Sequence, residues 1–437
     1  MNNTSDSLTN NKLKRKGVLW NALGSTMYGI NSFVMLALVS RFGTVEQTGC
    51  FGIAFSTAQI LYIVGLFGAN NYQMTDYKER FSFYDYLKLK LLSSAALMTG
   101  CLLSILIFGF TGEKALYTVI LSALMLLNSF AELFQSMFFQ KNRLDLSGSA
   151  LFFRTLWSLV AFSLALIIGK NITSALLVQI ICNLGVTLYY IFRYVPNFVS
   201  KKPSKIYDDV FETDIPMPGE ARIKKKGTLR ILIIECLPLC ISVFLMNLII
   251  NYSKYGIEMY GTDTMQGYFN MIFIPAQFIN LCSQFIFKPL LNKYALLLYD
   301  NKMKEFFKNL FKQILLVIAF TAFCAAAAYL LGAQILGFVY NKDITSFRLP
   351  MTIVVVGGGV YALCQLFYLI FVIQRWQKSI MIIYIASLAM TALLTWLFIS
   401  SSGITGAASA FLAAHAMILV CYVSIFITKI KCGNKIG

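Results

Sequence analysis

The sequence predicts an all-α polytopic membrane protein, and three observations support that prediction. The 437 residues are 58% hydrophobic and only 13% charged, with a mean hydropathy of +0.69, outside the ordinary range of soluble domains. The apolar residues form continuous runs of roughly 18 to 25, the length that a helix needs to cross a bilayer. Such runs exclude a transmembrane β-barrel, whose strands alternate apolar and polar residues.

Twelve apolar runs predict twelve membrane-spanning helices. They cover Gly17–Ser40, Val45–Ala69, Leu87–Phe110, Ala115–Gln140, Gly148–Gly169, Ile172–Tyr194, Leu229–Asn251, Met265–Leu290, Leu310–Leu331, Leu349–Gln374, Ser379–Ser400 and Ile404–Ile427. With the amino terminus inside, 31 of the 37 basic residues fall in inner segments. Because basic residues mark the cytoplasmic side of membrane proteins, this bias predicts both termini in the cytoplasm. It also accounts for the net charge of +18 without a nucleic-acid partner.

One polar stretch, Pro196–Arg230, interrupts the apolar runs near the middle of the chain. It predicts a cytoplasmic linker between two membrane-embedded halves. We therefore expect an N-terminal six-helix lobe over 1–195, a linker over 196–228 and a C-terminal six-helix lobe over 229–437. The linker is expected to carry no chemistry.

The two predicted lobes share the motif Gly-Thr-x4-Gly-x-Phe-x3-Phe. It occurs at 43–55 and again at 261–273, a shift of 218 residues. Six spans in each lobe would start both copies on the same side of the membrane. The repeat is then parallel, with its axis along the membrane normal, and transporters of this architecture bind substrate centrally.

Charged residues inside the spans are the first candidate functional residues, because a charge in hydrocarbon is costly and usually faces a cavity or a partner. Glu132, Arg154 and Glu235 lie well inside apolar runs, at a similar depth from the inner side. One interpretation is a structural ion pair between Glu132 and Arg154. The other is an anion site at Arg154, with Glu132 or Glu235 coupling transport to a cation or a proton.

Two further basic residues, Arg41 and Lys254, lie at the outer ends of the first span of each lobe. A guanidinium matches the oxygens of a phosphate and an ammonium acts as a point charge, so both are candidates for binding a diphosphate. The alternative is that both side chains extend to the membrane interface. No phosphate-binding loop, zinc-protease motif or acidic cluster in an outer loop is present, so we expect no catalytic residue, metal or cofactor.

Three stretches of the chain resemble bacterial polysaccharide-biosynthesis flippases of the Wzx type, in the multidrug/oligosaccharidyl-lipid/polysaccharide (MOP) exporter superfamily. They are Trp20–Leu87, Ala131–Arg154 and Asn251–Ala295. The resemblance implies a MATE/MOP-like fold of two six-helix lobes that open alternately to either side. It implies a bacterial cell membrane protein that flips undecaprenyl-diphosphate-linked oligosaccharide to the outer leaflet for cell-surface polysaccharide biosynthesis.

The resemblance also extends to residues and partners. Basic cavity residues of the family are associated with the diphosphate, and Arg154, Lys254 and Arg41 all lie in stretches that resemble it. Membrane lipids and the polysaccharide polymerase machinery are the other partners that it implies.

Other functions remain open at this point. A multidrug cation antiporter of the same superfamily would favour acidic groups in its cleft. A major-facilitator sugar transporter would carry a basic loop after its second span, where this chain reads GANNYQMTDYKERF. A lipid II flippase would carry additional spans. A membrane enzyme of glycan assembly is the alternative from a different class, but the short outer loops leave little room for catalytic groups.

Overall fold

The structure, a computed structural model, describes residues 2–76, 79–198, 228–300, 302–374 and 376–431. Within these ranges all regular secondary structure is helical and no strand is present. The prediction of an all-α protein is therefore confirmed.

Thirteen α-helices make up the described part of the chain. They are α1 Asn2–Phe42, α2 Val45–Leu66, α3 Ala69–Thr75, α4 Phe83–Phe108, α5 Gly112–Gln140, α6 Leu144–Gly169, α7 Ile172–Tyr194, α8 Thr228–Tyr260, α9 Asp263–Tyr299, α10 Met303–Ala327, α11 Ala333–Tyr340, α12 Arg348–Ile373 and α13 Gln377–Lys431. Short 3-10 turns follow α7 and precede α12, and a π-helical turn, Ala328–Gly332, joins α10 to α11.

The helices are long and apolar enough to cross a membrane many times. The described residues contain ten such segments. One of them, α13, is broken at Gly403, where the backbone leaves helical geometry, and so supplies two spans. Together with the 37-residue helix α9, they supply the twelve predicted crossings. The chain is a multi-pass integral membrane protein.

The described helices divide into two compact units. Unit 1 takes in Met1–Met35 and Thr57–Ile241, and unit 2 takes in Leu36–Ser56 and Ser242–Gly437. Helices α1, α2 and α8 therefore each contribute to both units. Residues 199–227, most of the predicted linker, lie outside the described residues, and the division at 195 and 229 stays a prediction.

In unit 1, small residues bring α1 and α6 together. A Cβ atom added to Gly148 of α6 would collide with the α1 backbone at Trp20 and Asn21. One added to Gly24 of α1 would lie 2.8 Å from the Gly148 carbonyl oxygen. Because the two backbones approach this closely, side chains one to two turns further along α1 and α6 lie near each other.

In unit 2, the two copies of the repeated motif pack against each other. A Cβ atom added to Gly49 would collide with the carbonyl oxygen of Asp263, and one added to Gly267 would collide with that of Val45. Gly49 and Gly267 are equivalent in the repeat, and so are Val45 and Asp263. The contact between α2 and α9 is therefore reciprocal, as a two-fold relation between the copies requires.

Some helix ends differ from the prediction. The second span was expected to continue to Ala69, but α2 ends at Leu66 because Phe67 and Gly68 have left-handed backbone conformations, with φ of 52° and 70°. The ninth span was expected to end at Leu331, but the π-helical turn lets the chain continue through α11 to Tyr340. Apolar composition alone cannot locate such local backbone changes.

Candidate anion-binding sites

The first candidate site lies in unit 1, where Glu132 of α5 and Arg154 of α6 meet. The Arg154 Nη2 and Glu132 Oε1 atoms are 3.9 Å apart, and the side chains are 2% and 15% exposed. The sequence prediction that these two residues can pair is therefore supported. The distance is too long for a hydrogen bond, so the interaction is a loose, buried ion pair.

Arg154 has unused hydrogen-bonding capacity. Its Nη1 atom donates to the backbone oxygen of Asn128 at 3.2 Å, but Nε and Nη2 are buried without a hydrogen-bond partner. In Arg143, by contrast, the Nε–Nη2 edge of the guanidinium has hydrogen-bond partners, because both atoms donate to the two oxygens of Asp145, each at 2.9 Å. Arg154 thus presents its Nε–Nη2 edge, which can bind a carboxylate or phosphate through two hydrogen bonds.

A second buried cation, Lys90 of α4, belongs to the same cluster and was not among the candidates predicted from the sequence. Its side chain is 1% exposed, and Nζ donates to the Gly65 carbonyl oxygen at 2.8 Å and to Ser129 Oγ at 3.4 Å. It interacts electrostatically with Glu132. From the sequence, Lys90 is one of the inner-side basic residues at the start of the third predicted span, but the structure places it in the interior of unit 1.

Polar and aromatic groups surround these charges. Tyr28 of α1 and Tyr62 of α2 interact with each other, and both interact electrostatically with Glu132 and Arg154. Asn183 of α7 donates its amide to Asn128 Oδ1 at 3.1 Å, while its own Oδ1 is buried without a partner. The cluster therefore draws on α1, α2 and α4 to α7, and combines excess positive charge with unpaired polar atoms.

The third predicted residue of this group, Glu235, lies elsewhere in unit 1. Its Oε1 atom is 3.1 Å from Arg80 Nη2, and Tyr72 donates a hydrogen bond to Oε2. Burial and then the hydrogen bond to Glu235 raise the pKa of Tyr72 to about 12, so the hydroxyl stays protonated and donating at neutral pH. Glu235 thus has its own cation and is not brought together with Arg154.

The second candidate site lies in unit 2 at Lys254 of α8, whose side chain is 6% exposed. Its Nζ donates to Ser56 Oγ on α2 at 3.0 Å and lies 4.9 Å from the centre of the Phe273 ring on α9. No carboxylate among the described residues forms an ion pair with it. A hydroxyl and an aromatic face only partly replace water around a buried ammonium, so Lys254 can accept an anion.

Arg41 is exposed at the end of α1, in unit 2. Its Nη1 atom donates to the carbonyl oxygens of Phe338 and Val339 at 2.9 and 3.1 Å. Both carbonyls belong to the last turn of α11, where a cation is favoured by the helix dipole. The structure thus assigns Arg41 a capping contact. Among the described residues no group of three or more His, Cys, Asp or Glu side chains is placed to hold a metal.

These features define a helical integral membrane protein with cationic side chains buried between its helices. No protein-family model matches the chain, and no curated protein matches it. Solved structures do match. One is an inward-facing multidrug resistance MATE family transporter of the MOP superfamily, with a TM-score of 0.69 and 12% identity over 93% of this chain and 96% of that one.

Two other solved structures are similar over nearly the whole chain. The MATE multidrug transporter DinF-BH, solved as a complex, has a TM-score of 0.63 and 15% identity over 95% of each chain. A variant of the Vibrio cholerae MATE transporter VcmN has a TM-score of 0.61 and 12% identity over 98% of each chain. At such identities the likeness establishes the fold, which is the MATE/MOP-like fold expected from the sequence.

Proposed function

We propose that this protein is a MOP-superfamily transporter that moves polyprenyl-diphosphate-linked oligosaccharide from the inner to the outer leaflet of the bacterial cytoplasmic membrane. In this proposal both termini lie in the cytoplasm, as the basic residues predict. The cargo supplies material for cell-surface polysaccharide. The MATE/MOP-like fold and the resemblance to Wzx-type flippases support this proposal.

The observation that carries the proposal is the sign of the buried charge. In unit 1 the cations Lys90 and Arg154 both interact with one carboxylate, Glu132, and in unit 2 Lys254 has no ion-paired carboxylate among the described residues. A buried charge without a counterion costs several kcal/mol. An anionic cargo offsets that cost while bound, whereas a cationic drug increases the repulsion.

The chemistry of the cargo fits the two sites. A diphosphate offers several oxygens, which suit the open edge of Arg154 and the point charge of Lys254. The polyprenyl tail remains in hydrocarbon while the charged head is shielded by protein. Alternating access then follows from a difference in the affinity of the two states for the cargo.

Of the two coupling candidates, Glu132 and Glu235, the contacts favour Glu132. Its carboxylate is partly exposed and is 3.9 Å from Arg154, so a proton on Glu132 would free the guanidinium for an anion. Glu235, in contrast, is already engaged by Arg80 and Tyr72, and we assign it a structural role.

The proposal is tested in the host cell by deletion and complementation. Deletion should accumulate lipid-linked glycan in the inner leaflet while glycosyltransferase activity in extracts stays normal. The wild-type gene should relieve the accumulation, whereas Arg154→Gln and Lys254→Leu should reduce relief at least about tenfold, since loss of one charged partner costs more than 1.4 kcal/mol. The control is Lys170→Gln, at an exposed helix end.

Two results would contradict the proposal. Normal glycan distribution in the deletion strain would exclude a role in flipping. Loss of glycosyltransferase activity in its extracts would indicate an enzyme of glycan assembly instead. The cation-antiporter alternative predicts a different outcome, namely drug sensitivity on deletion with unchanged lipid-linked glycan.

A further inference from the structure

A cavity of about 460 Å³ lies in unit 2, and Lys254 is not among the residues that line it. Three chain segments form its wall: the start of α9 with Thr262 and Tyr268, the turn before α12 with Phe347, and the break in α13 with Ser402 and Thr405. The basic-residue distribution predicts all three segments on the exterior side. The volume lies within the range of pockets that bind small molecules, about 300–1,000 Å³.

The residues that line this cavity carry no charge. Two of them are aromatic: the rings of Tyr268 and Phe347 have centroids 4.6 Å apart and are inclined by 32°. Hydroxyl groups make up most of the remaining polar wall, from Thr262, Thr264, Ser346, Ser402 and Thr405. A diphosphate would find no cation here, and a cationic drug would find no carboxylate in the lining.

The hydroxyls offer both donors and acceptors. Thr262 Oγ1 accepts from the Met265 backbone amide at 3.3 Å, which leaves its own proton to donate. Thr264 donates to Glu46 Oε1 at 3.4 Å, which leaves its oxygen to accept. A ligand that matches this wall must itself carry several groups able to donate and accept.

The wall is held in place by its own local structure. Asp343 Oδ1 accepts from the Thr345 backbone amide at 2.9 Å and from Thr345 Oγ1 at 2.6 Å, which fixes the turn that carries Phe347. At the break in α13, Gly403 has φ of 54° and ψ of −124°. This positive φ favours glycine at the break, and a Cβ atom there would lie 3.2 Å from the Cε atom of Met265 on α9.

From these observations we propose that the cavity is a binding site for a neutral pyranose of the transported glycan. The pyranose's C–H face packs on the Tyr268–Phe347 pair, and its hydroxyls exchange hydrogen bonds with the Ser and Thr side chains. The inference rests on the proposed transport of a glycan and adds where an uncharged sugar is held on the exterior side. Binding at this site favours the state in which the sugar has reached the exterior.

The experiment measures sugar binding directly. The full-length protein is purified in a detergent without a sugar headgroup, and saturation-transfer NMR is recorded with millimolar maltose, N-acetylglucosamine or glucuronate. We expect transfer to the C–H protons of maltose and N-acetylglucosamine, with no preference for glucuronate because the wall is uncharged. Tyr268→Ala and Phe347→Ala should each reduce the transfer severalfold, and the control Phe323→Ala, 71% exposed in the same unit, should not.

Two outcomes would overturn the inference. One is no transfer to any of the three sugars from folded wild-type protein. The other is transfer that Tyr268→Ala and Phe347→Ala leave unchanged, which would place the sugar elsewhere. Tyr268→Phe keeps the ring and loses only the hydroxyl, so retained transfer in this variant attributes the loss in Tyr268→Ala to the missing ring.

The inference and the proposed function can fail separately. If the protein binds sugar here but its deletion leaves lipid-linked glycan normally distributed, the transport proposal is wrong and the cavity remains a sugar-binding site. If deletion blocks flipping, yet no sugar binds and Tyr268→Ala complements fully, the assignment of the cavity as a sugar site is wrong and the transport proposal is retained.

Discussion

A double-mutant cycle on Glu132 and Arg154 decides between the structural and the functional interpretation of this pair. Two unit charges at the observed 3.9 Å attract by about 4 kcal/mol at an effective dielectric constant of ~20. Removing one partner of a buried pair costs about 3–5 kcal/mol, because the other charge is left without a counterion. We therefore expect a coupling energy of at least about 2 kcal/mol in the cycle.

Lys90 makes the two single changes unequal. With charges of +1 on Lys90, +1 on Arg154 and −1 on Glu132, the cluster has a net charge of +1. Arg154→Gln lowers it to 0 and leaves Lys90 as a cation near Glu132, whereas Glu132→Gln raises it to +2 with two buried cations. Glu132→Gln should thus be the more destabilising variant, and the double variant, again at +1, should recover much of the loss.

The assay is chemical unfolding in mixed micelles, followed by the transport measurement in the deletion strain. The matched control is Asp300→Asn with Lys302→Gln, an exposed pair at 3.2 Å that should contribute no more than about 1 kcal/mol. Additivity of the Glu132 and Arg154 changes within about 0.5 kcal/mol would refute the reasoning. If the double variant is stable yet inactive, the pair serves transport; if it is stable and active, the pair is structural.

Three further predictions concern other parts of the molecule. Gly49→Ala should lower the thermal midpoint, because its Cβ collides with the α9 backbone, whereas Gly185→Ala, with nothing within 4 Å, should be neutral or stabilising. Lys254→Leu should raise the thermal midpoint while reducing transport at least about tenfold, because it removes a buried cation that forms no ion pair with a carboxylate among the described residues; a lowered midpoint with retained transport would contradict this. Tyr72→Phe should destabilise the protein by about 1 kcal/mol. Since the pKa of Tyr72 is raised to about 12 by burial and Glu235, its contribution is fully present below the unfolded-state value of about 10, so the difference from wild type should be the same at about pH 6 and pH 9.

The helix pattern and the repeat were readable from the sequence because both depend on local composition and spacing. Apolar runs located the spans, and the shift of 218 residues located the glycines that pack α2 against α9. The partner of Glu235 was not readable. Arg80 is 155 residues away in sequence, and no local signal relates a residue in the loop before α4 to one near the start of α8.

Lys90 was missed although a signal for it exists. Lys88 and Lys90 look alike as basic residues at the start of a span, yet Lys88 is exposed and Lys90 is buried. On a helix, Lys90 shares a face with Tyr86, Ser93 and Leu97, which are also buried, at the spacing of three and four that marks one side. The helical periodicity of the charged flank, like that of the apolar run, therefore predicts Lys90 inside.

The repeat also identifies where the two copies differ chemically. Shifted by 218 residues, Lys254 corresponds to Leu36 and Ser56 corresponds to Ile274. The 3.0 Å contact between Lys254 and Ser56 thus occupies a position where the other copy offers two apolar side chains. An apolar pair satisfies the scaffold, and a buried ammonium in its place costs several kcal/mol unless an anion is bound. The fold alone therefore does not require Lys254, and a buried cation at this position is what the proposed anionic cargo predicts.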